Sequence, residues 1–233
     1  MTIPKHFSLE VSQRALKLIR EFYDRTSDIK SKSLPKATLL LSMSMPIVIL
    51  PLERIKKYGN DPSKGHMNDT TLNKDLANAI EETVNFNEKV HKKEFFADLW
   101  QYASFKKGKG FSNLAVEGLP KKIVEELNSQ EEATKRAGQL STLCFFKILR
   151  NALAHGGILY SDEHGRSRPD SIVDRFVFVS TGRSDNLTEF RFLQIKVTDY
   201  RIFLEEWIEW MMGNQAINKV MADDLGSDTI DEQ

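Results

Sequence analysis

One stretch, residues 140–157, constrains this chain more than any other part of its sequence. It reads LSTLCFFKILRNALAHGG and is the most apolar helical run in the chain. From residue 147 onward it nevertheless carries four polar side chains, and the run ends in two glycines. Polar groups on an otherwise apolar helix cost free energy unless they are paired or used. We call these four residues the polar stripe: Lys147, Arg150, Asn151 and His155.

On a helical wheel the polar stripe occupies one sector. With Lys147 taken as zero, Arg150 falls at about −60° and Asn151 at about +40°. His155 falls at about +80°, so it lies about 140° from Arg150, at the opposite edge of the sector. Three arrangements can bring the two edges together. In the first, the arginine bends across Asn151. In the second, the last turn unwinds at Gly156. In the third, two copies of the stripe face each other in a dimer.

The polar stripe combines groups that suit one definite reaction. Arginine is a permanent cation whose planar fork fits phosphate, and histidine exchanges a proton near neutral pH. A base, an acid and a cation together suit metal-independent cleavage of RNA through the ribose 2′-hydroxyl. A structural interpretation stays open beside this one, in which His155 caps the helix and Arg150 pairs with an internal carboxylate. A structural dimer, in which the stripe is a satisfied core network, is a further alternative.

The motif Arg150-Asn151-Ala152-Leu153-Ala154-His155 resembles the R-N-x-x-x-H signature of the HEPN superfamily. Members of that superfamily are compact helical domains that carry the motif on a core helix. Active members are typically homodimeric, metal-independent ribonucleases, many of them from toxin–antitoxin, abortive-infection or other anti-phage systems. Other members are inactive and serve as nucleotide-binding or interaction modules.

The resemblance implies roles for particular residues. Arg150 and His155 would be catalytic, and Asn151 would orient or bind. RNA would be the substrate, a second copy of the chain the partner, and an antitoxin protein a further partner. A non-catalytic module that uses the same stripe to bind nucleotide or protein is the alternative function. Three cations close to the motif in sequence are candidate phosphate contacts: Lys147, Arg166 and Arg168.

No metal or cofactor is expected for this chain. The spacing of His155 and His164 with Asp162 and Glu163 matches no zinc or iron pattern. His66 lies in a polar run that predicts a solvated loop. The KKGKG run is not a Walker loop, since GxxxxGK[ST] is absent, and we expect it to be solvated, with a phosphate contact as the sharper alternative.

Composition places the chain among ordinary globular proteins, with 40% hydrophobic and 28% charged residues. The single cysteine, Cys144, excludes a disulfide within the monomer, and we expect it in the core. Since the first residues also lack an apolar signal core, we expect a cytoplasmic location. The longest apolar run, residues 37–52, is shorter than a bilayer span and contains two prolines, which predicts buried core rather than membrane.

The pattern along the chain predicts a mainly α protein, an HEPN-like helical bundle with a β-hairpin inserted between the motif helix and the last helix. Two runs that alternate at period two, residues 172–180 and 189–197, predict that hairpin over about 172–197. Helical spacing predicts helices over these ranges: 8–26, 36–58 with kinks at its prolines, 70–104 with a break near 85–87, 119–128, 130–155 and 199–212.

Charge is unevenly placed along the chain. Residues 213–233 contain one lysine and five acids, a balance of −4, whereas the whole chain has a formal net charge of zero. The remaining residues therefore carry about +4, which permits an anionic ligand without requiring one. We expect a single domain over residues 1–212 and a disordered acidic tail over 213–233.

Overall fold

A computed structural model describes residues 6–25, 34–52, 74–106, 114, 118–167, 172–184 and 187–227. Within these ranges the chain is mainly helical, as predicted. The helices are α1 (Phe7–Phe22), α2 (Leu34–Ser44), α3 (Lys74–Val84), α4 (Lys121–Asn128), α5 (Gln130–Gly138), α6 (Thr142–His155), α7 (Val197–Gly213) and α8 (Gln215–Ser227). The strands are β1 (Gln101–Lys106), β2 (Ile158–Ser161), β3 (Arg175–Ser184) and β4 (Leu187–Lys196). Each of these helices is too short or too polar to cross a membrane.

The four strands form one antiparallel sheet in the order β1-β4-β3-β2. The long pair β3 and β4 occupies the region for which a hairpin was predicted. β1 extends the sheet beside β4, with Gln101 opposite Gln194, and β2 extends it beside β3, with Leu159 opposite Val177. These two outer strands were not predicted. They are only six and four residues long, which is too short for a clear alternation of polar and apolar residues.

One face of the sheet packs against α6 and α7 through large aromatic side chains. The ring of Trp100 lies 5.0 Å from that of Phe145 on α6 and 5.0 Å from that of Phe203 on α7. Tyr200 continues the cluster, 5.3 Å from Phe176 of β3. Edge-to-face contacts of this kind add to the free energy gained by burial. We call this side of the sheet the aromatic face.

The opposite face of the sheet is covered by α4. Ile123 and Leu127 of that helix contact the small cluster of Ala103, Val177 and Phe192 from three strands. We call this side the α4 face. It buries fewer and smaller side chains than the aromatic face does.

The predicted helix over 70–104 is wrong in its second half. α3 ends at Val84, and Asn85 takes a left-handed φ of 43°, which confirms the break expected there. Two short 3-10 turns follow, and then Ala97 and Asp98 take φ values of 44° and 52° before β1 begins. Non-glycine residues in the left-handed region end a helix, because continuing it would need a negative φ.

The kink expected at the prolines is confirmed at Pro46. That residue lies in a π-helical turn, Met45–Ile49, that continues directly from α2. Such wider turns accommodate an inserted residue or a missing backbone donor. The carbonyl of Pro46 accepts a hydrogen bond from Ser12 Oγ of α1 at 2.8 Å, so the turn also ties α2 to α1.

The structure corrects the prediction of a disordered tail from residue 213 over most of that segment. The segment forms α8, and its Ile217 is fully buried. Ile217, Val220 and Met221 recur at helical spacing and join the main core. The acidic residues of this segment favoured a prediction of disorder, and the helical spacing of these three apolar residues was overlooked. Residues 228–233 lie outside the described ranges.

Candidate functional site on the exposed side of α6

The sequence sets both ends of α6. At its start the Ser141 Oγ accepts a hydrogen bond from the Cys144 N–H at 3.2 Å, an N-cap that satisfies one of the free backbone donors. At its end Gly156 takes a left-handed φ of 70°. The N–H groups of Gly156 and Gly157 both point to the carbonyl of Ala152, the latter at 2.8 Å. His155 is therefore the last residue of the helix.

Gly157 fixes this end of α6 against the sheet. Its carbonyl accepts a hydrogen bond from the Val179 N–H at 2.7 Å. A Cβ atom on residue 157 would lie 2.3 Å from the Val179 carbonyl oxygen. Only glycine permits this close approach of two backbones. The end of the helix, and with it His155, is thus held in a defined position over β3.

The polar stripe faces outward. Lys147 and His155 are exposed, and Arg150 and Asn151 are half-buried. The opposite side of α6 is buried in the aromatic core by these residues: Phe145, Phe146, Ile148, Leu149 and Ala152. Within one chain the stripe is therefore part of the surface.

Arg150 and Asn151 are joined in the centre of the stripe. Arg150 Nη1 donates a hydrogen bond to Asn151 Oδ1 at 2.9 Å. Of the three arrangements considered from the sequence, this is the arginine bending across the asparagine. The hydrogen bond to Asn151 holds the guanidinium away from its own edge of the sector and toward the side that carries His155.

The imidazole of His155 does not cap the helix. The Ala152 carbonyl at the end of α6 is occupied by the glycine N–H groups. Within the described ranges the imidazole makes no hydrogen bond or ion pair. It lies four residues after Asn151, on the same flank of the helix. The His155 side chain is exposed at this position.

A family comparison identifies the domain that carries this stripe. The family model described as HEPN pEK499 p136 matches residues 1–218. The chain belongs to the HEPN family. Among curated proteins and solved structures, none matches the chain.

A second polar group lies on the same flank of the HEPN motif helix, at a residue that we predicted to lie in the core. Cys144 was expected in the core, but it is only half-buried, and its Sγ accepts a hydrogen bond from Arg191 Nη1 at 3.5 Å. The guanidinium of Arg191 lies against the backbone of Gly182, where a Cβ would come within 2.5 Å of it. On the wheel Cys144 falls at about +60°, close to Asn151, so this signal was present in the sequence.

Arg191 is held by a neighbouring carboxylate. Its Nε donates to Glu189 Oε2 at 2.9 Å. Partial burial by itself raises the pKa of Glu189, but hydrogen bonds from Ser104 and Arg191 outweigh it and hold that pKa below its usual range. The ion pair therefore persists at neutral pH beside the N-terminal half of the motif helix.

The structure does not bring Arg166 together with the HEPN motif. Arg166 Nε donates to Asp162 Oδ2 at 2.9 Å within a tight loop after β2. Gly165 of this loop lies against Val124 of α4, so the loop belongs to the α4 face. Arg168 lies outside the described ranges, as do His66 and the lysines of KKGKG that follow Lys106.

Lys147 is the one candidate phosphate contact that the structure places on the stripe itself. Its side chain is exposed on α6, one turn before Arg150 and Asn151. In the part of the chain that the structure describes, no group of three metal-ligating side chains is found.

Proposed function

We propose that this HEPN protein is a metal-independent endoribonuclease that cleaves RNA at the polar stripe of α6. One observation carries the proposal. A guanidinium held by Asn151 at 2.9 Å and an outward-facing imidazole share one side of a helix whose other side is locked in the core. A rigid support of this kind keeps reacting groups in position, which is worth several orders of magnitude in rate.

The reaction assigned to the stripe forms one bond and breaks another. The 2′-oxygen of a ribose attacks the adjacent phosphorus, and the bond from phosphorus to the 5′-oxygen of the next nucleotide breaks. A base accepts the 2′-hydroxyl proton, and an acid protonates the leaving 5′-oxygen. Arg150 stabilises the negative charge of the phosphorane, and Asn151 positions Arg150. The products are a 2′,3′-cyclic phosphate and a 5′-hydroxyl.

The need for both a base and an acid supports a homodimer. One stripe offers a single imidazole, that of His155, to transfer a proton. Two stripes facing each other across a two-fold axis would supply two histidines to one cleft. The exposed side of α6 is available for this contact, because Lys147 and Ala154 at its centre are exposed in the single chain. We propose that the active species is this dimer, with RNA bound between the two motif helices.

Cleavage of RNA in the presence of EDTA tests the enzymatic role. We expect His155→Ala to lower the cleavage rate by about 10²–10⁴-fold, the usual contribution of a proton-transferring group. His164→Ala is the matched control, since His164 is also exposed but lies in the loop beside α4. It should cleave like the wild type. Equal activity of the two variants would refute the assignment. Intact RNA that binds, with binding weakened in Arg150→Ala, would point to a non-catalytic module.

A mixing experiment tests the shared cleft. Wild-type protein is allowed to exchange subunits with an excess of His155→Ala, and activity per wild-type chain is measured. If each cleft needs both histidines, mixed dimers are inactive and the activity per wild-type chain falls. Unchanged activity per wild-type chain would place the complete site within one chain.

The biological role that fits such an enzyme is a toxin or anti-phage effector with an antitoxin protein as its partner. Uncontrolled cleavage of RNA would stop growth of the cell that makes it. Expression of the wild type should therefore arrest growth, and expression of His155→Ala at the same level should not. Arrest by both proteins would show that toxicity does not come from the stripe.

A further inference from the structure

A second concave site lies on the α4 face, at the end of the sheet where β4 meets α7. The pocket has a volume of about 400 Å³, within the range of small-molecule sites. Its floor is formed by two buried side chains, Gln194 of β4 and Leu127 of α4. The sheet separates this pocket from the polar stripe, which lies on the α6 side.

Gln194 is the feature that marks the pocket as a binding site. Its side chain is only 2% exposed and lines the cavity. Its amide is not among the fully buried polar groups that lack a partner, so it reaches the open cavity. An amide in that position can bond to water or to a ligand. A ligand with a donor and an acceptor side by side would satisfy it.

Two cations flank this amide on the same face of the sheet. Lys196 lies two residues beyond Gln194 on β4. Arg175 on β3 is the direct cross-strand neighbour of Lys196. Arg175 Nη1 donates to Asn128 Oδ1 at 2.7 Å and its Nε pairs with Asp174 Oδ2 at 3.2 Å, which fixes the guanidinium at the pocket wall and leaves its remaining donors for a ligand. Lys196 is exposed and makes no ion pair within the described part of the chain. Together they suit a carboxylate.

Three acids also line the pocket: Asp98, Glu163 and Asp199. With Arg175 and Lys196 they give the pocket a formal charge of −1. This balance disfavours a highly charged anion such as a nucleotide or an RNA strand, because the acids would repel it. It favours a ligand that carries both signs, with its ammonium group toward the acids and its carboxylate toward the cations.

We propose that this pocket binds a small zwitterion of the α-amino-acid type. Its carboxylate contacts Arg175 and Lys196, its ammonium group lies toward Asp199 and Asp98, and a polar side chain pairs with the amide of Gln194. The assignment is independent of the ribonuclease activity, since it uses none of the residues on α6.

Saturation-transfer NMR on the full chain tests the proposal, with each protein L-amino acid as a separate ligand and AMP as the anionic comparison. We expect transfer to at least one polar amino acid and none to AMP. Lys196→Ala should weaken that binding by about tenfold or more, the effect of losing one charged hydrogen bond. Lys121→Ala is the control, because Lys121 is exposed on α4 away from the pocket lining, and it should bind like the wild type.

Gln194→Leu provides a second measurement, with a result that would not be expected if Gln194 had only a structural role. Without ligand this variant should melt close to the wild-type temperature, because the amide faces an open cavity and not the packed core. It should also lose the amino-acid binding. Binding to AMP alone, binding to no amino acid, or binding that survives in both Lys196→Ala and Gln194→Leu would overturn the proposal. Should Gln194→Leu fail to fold, the exposed Lys196→Ala still decides.

Discussion

The two faces of the sheet are built in different ways. On the aromatic face, Trp100, Phe145, Phe203 and their neighbours pack ring against ring and are almost wholly buried. On the α4 face, one short helix covers a small cluster and leaves a polar pocket beside Gln194.

The two faces therefore have different tasks: the aromatic face supports the motif helix, and the α4 face holds a pocket that can bind a ligand. The HEPN motif helix needs a rigid base, because groups that act on a phosphate must keep their positions. The aromatic face supplies that base, and only the outer side of α6 is left for chemistry. The thinner α4 face has less to hold in place, so it has room for a pocket. We therefore expect mutations on the aromatic face to cost more stability than those on the α4 face.

The largest effect should come from Phe145→Ala on the aromatic face. Phe145 contacts four other rings, including those of Trp100 and Phe203. We expect a loss of about 3–5 kcal/mol in the free energy of unfolding, against about 2–3 kcal/mol for Leu127→Ala on the α4 face. Urea unfolding of both variants measures the difference. A cost for Leu127→Ala that equals or exceeds that of Phe145→Ala would contradict the comparison.

An intermediate effect is expected at the end of α6, where the motif helix meets β3. Gly157→Ala places a Cβ 2.3 Å from a backbone oxygen of Val179 and should cost about 2–3 kcal/mol. Gly156→Ala meets nothing within 4 Å and costs only its left-handed φ of 70°, about 1 kcal/mol. Thermal unfolding of the two variants distinguishes the cost of a clash with the β3 backbone from the cost of a left-handed φ. The reverse order would show that β3 does not hold the helix end.

The smallest effect should come from the loop beside α4. Partial burial raises the pKa of Asp162, but hydrogen bonds from Arg166 and His164 outweigh it and leave the pKa below its ordinary value of 3.8. Because the folded-state pKa is the lower one, the stabilisation is present above pH 3.8 and is lost as the pH falls through the folded-state pKa.

Asp162→Asn should therefore cost about 1 kcal/mol at neutral pH and nothing in strong acid. Urea unfolding of the variant and the wild type at both pH values measures this. A cost that stays the same in acid would show that the carboxylate charge plays no part in holding the loop.

Much of the motif helix could be predicted from the sequence. The wheel placed the four polar residues in one sector, and the structure shows that sector on the outside of α6. The apolar residues opposite it are buried. The pattern succeeded here because α6 is long and its two sides differ sharply in polarity.

Other features depend on contacts between distant segments and were missed. The strand β1 follows a run of aromatic residues that also fits a helix, and it forms because Gln101 and its neighbours pair with β4. Cys144 was assigned to the core by its hydrophobicity, but Arg191 from β4 binds its thiol. The pocket at Gln194 joins residues as distant in sequence as Asp98 and Asp199, which no local pattern reveals.

The chemistry of the cleaved ends tests the central claim most directly. RNA is incubated with the wild type in EDTA, and the new termini are identified by mass spectrometry. We expect 2′,3′-cyclic phosphate and 5′-hydroxyl ends from the wild type and no new ends from a folded His155→Ala protein. Ends bearing a 3′-hydroxyl and a 5′-phosphate, or the same cyclic ends from His155→Ala, would contradict it.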